Sequence, residues 1–400
     1  MEQLDTKLVI RDIYARKIID CEGNFTIETE VLAEDGGVGR VSVPSGTAHL
    51  YSRTHEPDWT EKAVETVNIH IAPEIIGRNV FDQEDIDRTL LSLDGSENKN
   101  VLGAEAVYSV SAAAAETAAT ALKMPLYRYL GGVQAKHIPI PVVNMFKGSK
   151  AGKYISGIGN IMTIPLGEQS FSGRISMCMK VHRAISRIQT YGGRDFFQLL
   201  QSVAESSGLQ SGKDFAIGLF VSASKLYDPE KKCYRFKDWK KDKEDERCLT
   251  PREMISYYEE LTAEFPITHL TDPLDHDDWE GWAELTEKLG DKVKLAGDAL
   301  FRMDAERLEK GIRMGAANAI IVRAGQTTLS EMSDIIKRAQ EAGYTVAVSS
   351  GEGETADSIL SDLAVAFRAG QIHAGSFCHM EYLEKYNRLI RIEEKIGEIC

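Results

Sequence analysis

The chain has 400 residues, 43% of them hydrophobic and 27% charged, with a formal net charge of -14. That length can bury a large core, arranged as two domains or as one barrel with an added domain. The acidic balance excludes nucleic acid as a partner, because a binder must neutralise many phosphates with clustered basic side chains. Apolar runs stop well short of the roughly 20 residues that a bilayer span requires, so no membrane partner is expected. Six cysteines (Cys21, Cys178, Cys233, Cys248, Cys378, Cys400) include no Cys-x-x-Cys pair, and the N-terminus shows no signal-peptide pattern. Reduced thiols and a cytoplasmic location are the expectation.

Taken in order, strands precede helices. Ile10 to Tyr14 and Asn24 to Leu32 alternate with period two, Thr26, Glu28 and Glu30 on one face and Phe25, Ile27, Thr29 and Val31 on the other. Glu34-Asp35-Gly36-Gly37 supplies a turn, and Val38 to Val43 returns as the third strand of an antiparallel meander. Helices are predicted from Thr60, over Glu84 to Leu93, and over the alanine-rich stretch Gly103 to Leu122, which Pro125 ends. Pro139 and Pro141 mark a boundary between an α+β domain, residues 1–138, and a second domain, residues 139–400.

Beyond that boundary, apolar runs recur at one βα unit each: Ala216 to Val221, Ile267 to Leu270, Val293 to Gly297, Ala319 to Val322, Thr345 to Val348 and Gln371 to Ala374. The spacing predicts an α/β protein whose second domain closes into a (β/α)8 TIM-type barrel. In such barrels the working side chains project from the C-terminal strand ends, so Phe220, Thr271, Asp298, Arg323, Ser350 to Glu352 and His373 should share one mouth. Asp228 to Arg247 interleaves lysines with acidic residues and reads as a solvated hairpin or loop.

Several segments resemble enolases over nearly the whole chain. They are Asp20 to Glu30, Pro44-Ser45-Gly46, Leu93-Asp94-Gly95 through Leu102-Gly103-Ala104, Pro125 to Gly132, Asp272-Pro273-Leu274, Asp278-Trp279-Glu280-Gly281-Trp282, Gly297-Asp298-Ala299-Leu300-Phe301, Gly353-Glu354-Thr355, Ala369 to Ile372 and Lys385 to Glu394. The resemblance implies an N-terminal α+β capping domain, a barrel that opens with antiparallel strands, a homodimer, and dehydration of 2-phosphoglycerate with two magnesium ions.

Position by position, the resemblance also implies that this chemistry is gone. The three carboxylates of the main magnesium site correspond to Phe220, Thr271 and Asp298, leaving Asp298 as the one surviving metal ligand, and the loop serine of the second ion corresponds to Ala48. Magnesium wants hard oxygen ligands in octahedral array, which this set does not offer, so no tightly bound cofactor is expected. The general-base lysine corresponds to Arg323, which stays protonated. The loop histidine and Gln-Glu pair correspond to Ala151, Gly159 and Asn160, and the acidic loop after them is deleted. The phosphate-binding His-Arg-Ser corresponds to Ser350, Gly351 and Glu352, and a substrate lysine to His373. Losing one acid or base typically costs about 10²–10⁴ in rate, and here several go together. Glu22 replaces an arginine of the family's subunit contact, which makes a heteromer with another enolase chain thinkable beside the homodimer.

A replacement pocket would draw on Lys147, Lys150, Lys153, Asn160, Asp298, Arg323, Glu352 and His373. His373 with a carboxylate partner is the proton-transfer candidate; the competing reading is that Arg323 pairs with Asp298 or Glu352 and fills the space. Gly148 to Lys153 has the wrong spacing for a phosphate loop, and in Asp275-His276-Asp277-Asp278 the last residue reads as a helix N-cap. The expected function is that of an enolase-like paralogue, inactive or impaired toward 2-phosphoglycerate, with a binding or regulatory role. The alternatives are a metal-independent lyase or isomerase using His373 and Arg323 on a small anionic metabolite, and a working glycolytic enolase.

Overall fold

A computed structural model describes residues 7–46, 58–147, 158–167, 170–185, 194–237 and 246–397. Strands β1 (Ile10–Ile19), β2 (Phe25–Ala33) and β3 (Val38–Ser42) form an antiparallel sheet in that order. Ile27, Thr29 and Val31 are buried as the alternation predicts, while Glu28 and Glu30 turn outward onto Arg16 at 2.5 and 2.8 Å. The start of β2 departs from that pattern. Phe25 is exposed, and Thr26 is buried because its hydroxyl donates to the Val43 carbonyl at 2.6 Å.

The buried face of the sheet packs on the alanine-rich helix Ala104–Ala121. Small side chains permit a close approach. A Cβ on Gly39 would collide with the Ala113 carbonyl and Thr117, and the Thr117 hydroxyl accepts the Gly39 N–H at 2.9 Å. The first predicted helix is broken into Trp59–Glu65, a π-helical turn Thr66–Ile71 and Ala72–Ile75, and the second spans Gln83–Asp94.

The barrel is built from β4 (Ile140–Lys147), β5 (Asn160–Pro165), β6 (Phe215–Phe220), β10 (Ile267–Thr271), β11 (Lys294–Gly297), β12 (Ala319–Arg323), β13 (Thr345–Ser349) and β14 (Gln371–Gly375). A small sheet of β7 (Tyr227–Asp228), β8 (Cys233–Lys237) and β9 (Glu246–Leu249) is inserted after β6. The barrel closes in the order β10-β11-β12-β13-β14-β4-β5-β6. Only β5 runs against its neighbours, β4 and β6. That reversal puts the first residue of β5, Asn160, opposite Lys147 and Phe220 at the mouth.

Caps written into the sequence start the outer helices. Thr250 makes a capping box with Glu253 ahead of Pro251–Glu264. Asp278 accepts the Gly281 N–H at 3.0 Å ahead of Trp279–Leu289, in agreement with its reading as a cap. The inserted hairpin corrects one expectation. Cys233 and Cys248 are joined as a disulfide, with Cα atoms 5.4 Å apart, because antiparallel pairing of β8 with β9 brings together two cysteines distant in sequence.

The N-terminal domain is tied to the C-terminal strand ends of the barrel. The Cys21, Ser45 and Gly46 N–H groups donate to the carbonyls of Glu354, Gly353 and Glu352 at 2.9, 3.0 and 2.8 Å. Gly353 has φ +62, and a Cβ there would collide with the Ser45 hydroxyl. Farther round, Asp87 and Ser111 accept the N–H groups of Ser330 and Leu329 at 2.9 and 3.0 Å, satisfying the first turn of the helix Leu329–Glu341. The cap therefore sits over the mouth.

Candidate functional site

A cavity of about 410 Å³ opens where the strand ends converge. Its wall includes Asn160, Phe220, Asp298, Arg323, Glu352 and His373, so one opening gathers these residues from separate strands and the loops that follow them. Thr271 is buried and lies behind the wall. Lys150, Lys153, Ala48 and Ala151 fall outside the described residues.

The centre of the site is an ion pair. The Arg323 Nε donates to both Asp298 oxygens at 3.1 and 2.9 Å, Nη2 donates to Oδ2 at 2.5 Å, and Nη1 donates to the Ser350 carbonyl at 2.6 Å. The two side chains are only 9% and 3% exposed. A bidentate guanidinium matches a carboxylate in geometry and charge, so each group satisfies the other. Of the two partners weighed for Arg323, the structure selects Asp298; Glu352 stands exposed at the rim.

Asp272 holds Asp298 in place. Its φ is +47, a left-handed conformation uncommon outside glycine. That turn aims its carboxyl at the Asp298 and Ala299 N–H groups, 2.9 and 3.1 Å away. Burial, with the charge of Asp298 beside it, pushes the Asp272 carboxyl up from the ordinary range.

His373 does not meet the requirements of the proton-transfer reading. Among the described residues its buried Nε2 has no hydrogen-bond partner, and neither Asp298 nor Glu352 orients the ring. Burial first, then His269 and Arg323, drives its pKa down to about 3. The imidazole is neutral at physiological pH and a weak base. Burial is the main cause, and the nearby cation Arg323 adds to it.

Magnesium, which the resemblance implies, does not fit here. Phe220 offers no oxygen, Thr271 is sealed behind the wall, and both oxygens of Asp298 are engaged by a cation. Nearby, Asp275, His276 and Asp277 bring ligand atoms within 4.8 Å of one another. They are already committed. The Asp277 carboxylate takes Arg307 at 3.0 Å, Asp275 accepts the Asp277 N–H at 3.0 Å, and His276 Nδ1 bonds the Ser224 hydroxyl at 2.9 Å.

The sequence reading did not single out Arg302, Lys225 or Asn144, all on the cavity wall. A usable signal existed for the first two. Arg302 follows β11 and Lys225 follows β6 within the βα loops that border a barrel mouth.

The comparison with family models agrees with this architecture. Residues 193–400 match the model described as Enolase, C-terminal TIM barrel domain, and residues 10–130 match the one described as Enolase, N-terminal domain. With both halves of the fold matched, the C-terminal match alone spanning more than half the chain, this protein belongs to the enolase family.

Proposed function

We propose that this enolase-family chain has given up the magnesium-dependent dehydration of 2-phosphoglycerate and acts by binding, with a small anionic metabolite at the barrel mouth or a second enolase chain as its partner. The observation that carries this reading is the clamp of Arg323 on Asp298. A permanent cation stands where the family holds a metal, and an arginine stands where it holds a base. Among the described residues, the positions that correspond to the family's metal ligands and base offer neither a metal site nor a base for a doubly charged carbanion.

Support for a second chain comes from the end of the β1-β2 hairpin. Ile19 and Phe25 face each other there, 68% and 53% exposed, and a paired apolar patch of this kind suits a protein contact. Among the described residues no helix is long and apolar enough to cross a membrane, and a cytoplasmic setting is part of the proposal. A metal-independent lyase or isomerase built on His373 and Arg323 is the second reading. In its favour stands the unpartnered Nε2 of His373 on the cavity wall; against it stands the depressed basicity of that ring.

The decisive experiment is formation of phosphoenolpyruvate from 2-phosphoglycerate by the full chain, with magnesium and with a chelator. No turnover, and a melting temperature indifferent to magnesium, are the expected results, since a ligand that binds only the folded state must stabilise it. Chelator-sensitive turnover would overturn the proposal.

A further inference from the structure

The charges at the barrel mouth are divided by position. Arg323 and Asp298 neutralise each other at the centre, which leaves the rim to set the local field. On the arc formed by β6, β10 and β11 stand Lys225 and Arg302; on the far side, after β13, stands Glu352. Among the described residues neither Lys225 nor Glu352 has an ion-pair partner, while Arg302 donates Nε to the Ala299 carbonyl at 3.2 Å and its charge is felt by Asp277, with no ion pair formed. Between the two sides the wall holds Asp272, whose carboxyl is turned away onto the Asp298 and Ala299 N–H groups, and the ring of His276. It also carries the apolar Phe220 and Met162 and the side-chain amides of Asn144 and Asn160.

From this arrangement we infer that the mouth binds a zwitterion, a small α-amino acid whose carboxylate turns toward Arg302 and Lys225 and whose ammonium turns toward Glu352. The inference rests on the non-dehydrating reading above and departs from it in the ligand, a zwitterion in place of a small anion. A purely anionic ligand would meet Glu352 without compensation, and a purely cationic one would meet Arg302 and Lys225, so each wrong charge pattern is rejected by repulsion as well as by a lost contact. Only a molecule with both charges satisfies both sides of the rim. Its side chain would rest against Phe220 and Met162 or hydrogen-bond to the asparagine amides. The volume of about 410 Å³ falls near the lower end of small-molecule sites, roughly 300–1,000 Å³, as a ligand of this size requires.

The test is thermal shift followed by calorimetry on the full chain in chelator, with the standard amino acids as probes and 2-phosphoglycerate and malate for comparison. At least one amino acid should raise the melting temperature. Its deaminated and decarboxylated analogues should bind at least about tenfold more weakly. Glu352→Gln should abolish the advantage of the amino acid over its deaminated analogue, and Arg302→Gln its advantage over the decarboxylated one. Silence with every amino acid, equal binding of the deaminated analogue, or tighter binding of 2-phosphoglycerate or malate would overturn the inference. Because the chelator removes metal chemistry from this assay, such a failure is distinct from turnover of 2-phosphoglycerate in magnesium, which would sink the parent reading.

Discussion

Two buried ion pairs stand at neighbouring strand ends and serve different ends. Lys385 and Glu354 are 2% and 3% exposed and 2.7 Å apart. Lys385 also donates to the Thr355 and Glu381 carbonyls, both at 3.1 Å, and Glu354 accepts the Gly351 N–H at 2.9 Å. The Glu354 carbonyl then receives the Cys21 N–H, so this pair ties the C-terminal helix, the loop after β13 and the N-terminal domain together. Arg323 and Asp298 are comparably buried but border a cavity. One pair closes a seam between domains, and the other lines the cavity at the barrel mouth. Burial of opposite charges therefore does not by itself reveal a role; what lies on the free side of the pair does.

The largest effect should come from breaking the seam. Lys385→Met strands a buried carboxylate and should cost about 3–5 kcal/mol, read as a lowered urea midpoint. Equal stability of the variant would erase the contrast between the two pairs. Arg323→Met should cost less, about 2–4 kcal/mol, because the cavity admits water to the abandoned Asp298. It should also make the melting temperature respond to manganese, to which the native chain is expected to be indifferent, since Asp298 would then lack its guanidinium partner. A native protein stabilised by manganese would break that prediction.

The pH dependence of the site follows from His373, whose pKa falls from the ordinary 6.5 to about 3 in the fold. Below about pH 6.5 the unfolded chain binds a proton that the folded chain refuses, so this contribution to stability is present at neutral pH and is lost as the pH falls toward 3. The loss should be about 2 kcal/mol at pH 5. His373→Gln should flatten this part of the stability curve, measured by urea unfolding across pH 5–7; an unchanged slope would show that the ring is protonated in the fold. The smallest effect is local. Asp278→Ala removes a helix cap and should cost about 1 kcal/mol in urea unfolding, with ligand binding at the mouth unaltered.

Much of the fold was legible in the chain itself. The alternation in β2, the caps Thr250 and Asp278, and the recurring apolar runs depend on neighbours within a few residues, and periodicity records them directly. Where the fold differs, distant partners are responsible. Thr26 is buried because Val43 accepts its hydroxyl, and Cys233 meets Cys248 through the pairing of β8 with β9. Asp272 stood within a recognised Asp-Pro-Leu segment, yet its positive φ and its hold on Asp298 have no local signature.

Most of the mouth residues, though not Thr271, were legible in the sequence alone, because the barrel places each strand's last residues at one end whatever their identity. Only the tertiary structure decided that Arg323 reaches Asp298 and, among the described residues, leaves Glu352 and Lys225 without ion-pair partners on opposite sides of the opening. The physical reason is distance. Charge pairing falls off over a few ångströms, and whether side chains separated by 25 residues come that close depends on the twist and closure of the whole barrel.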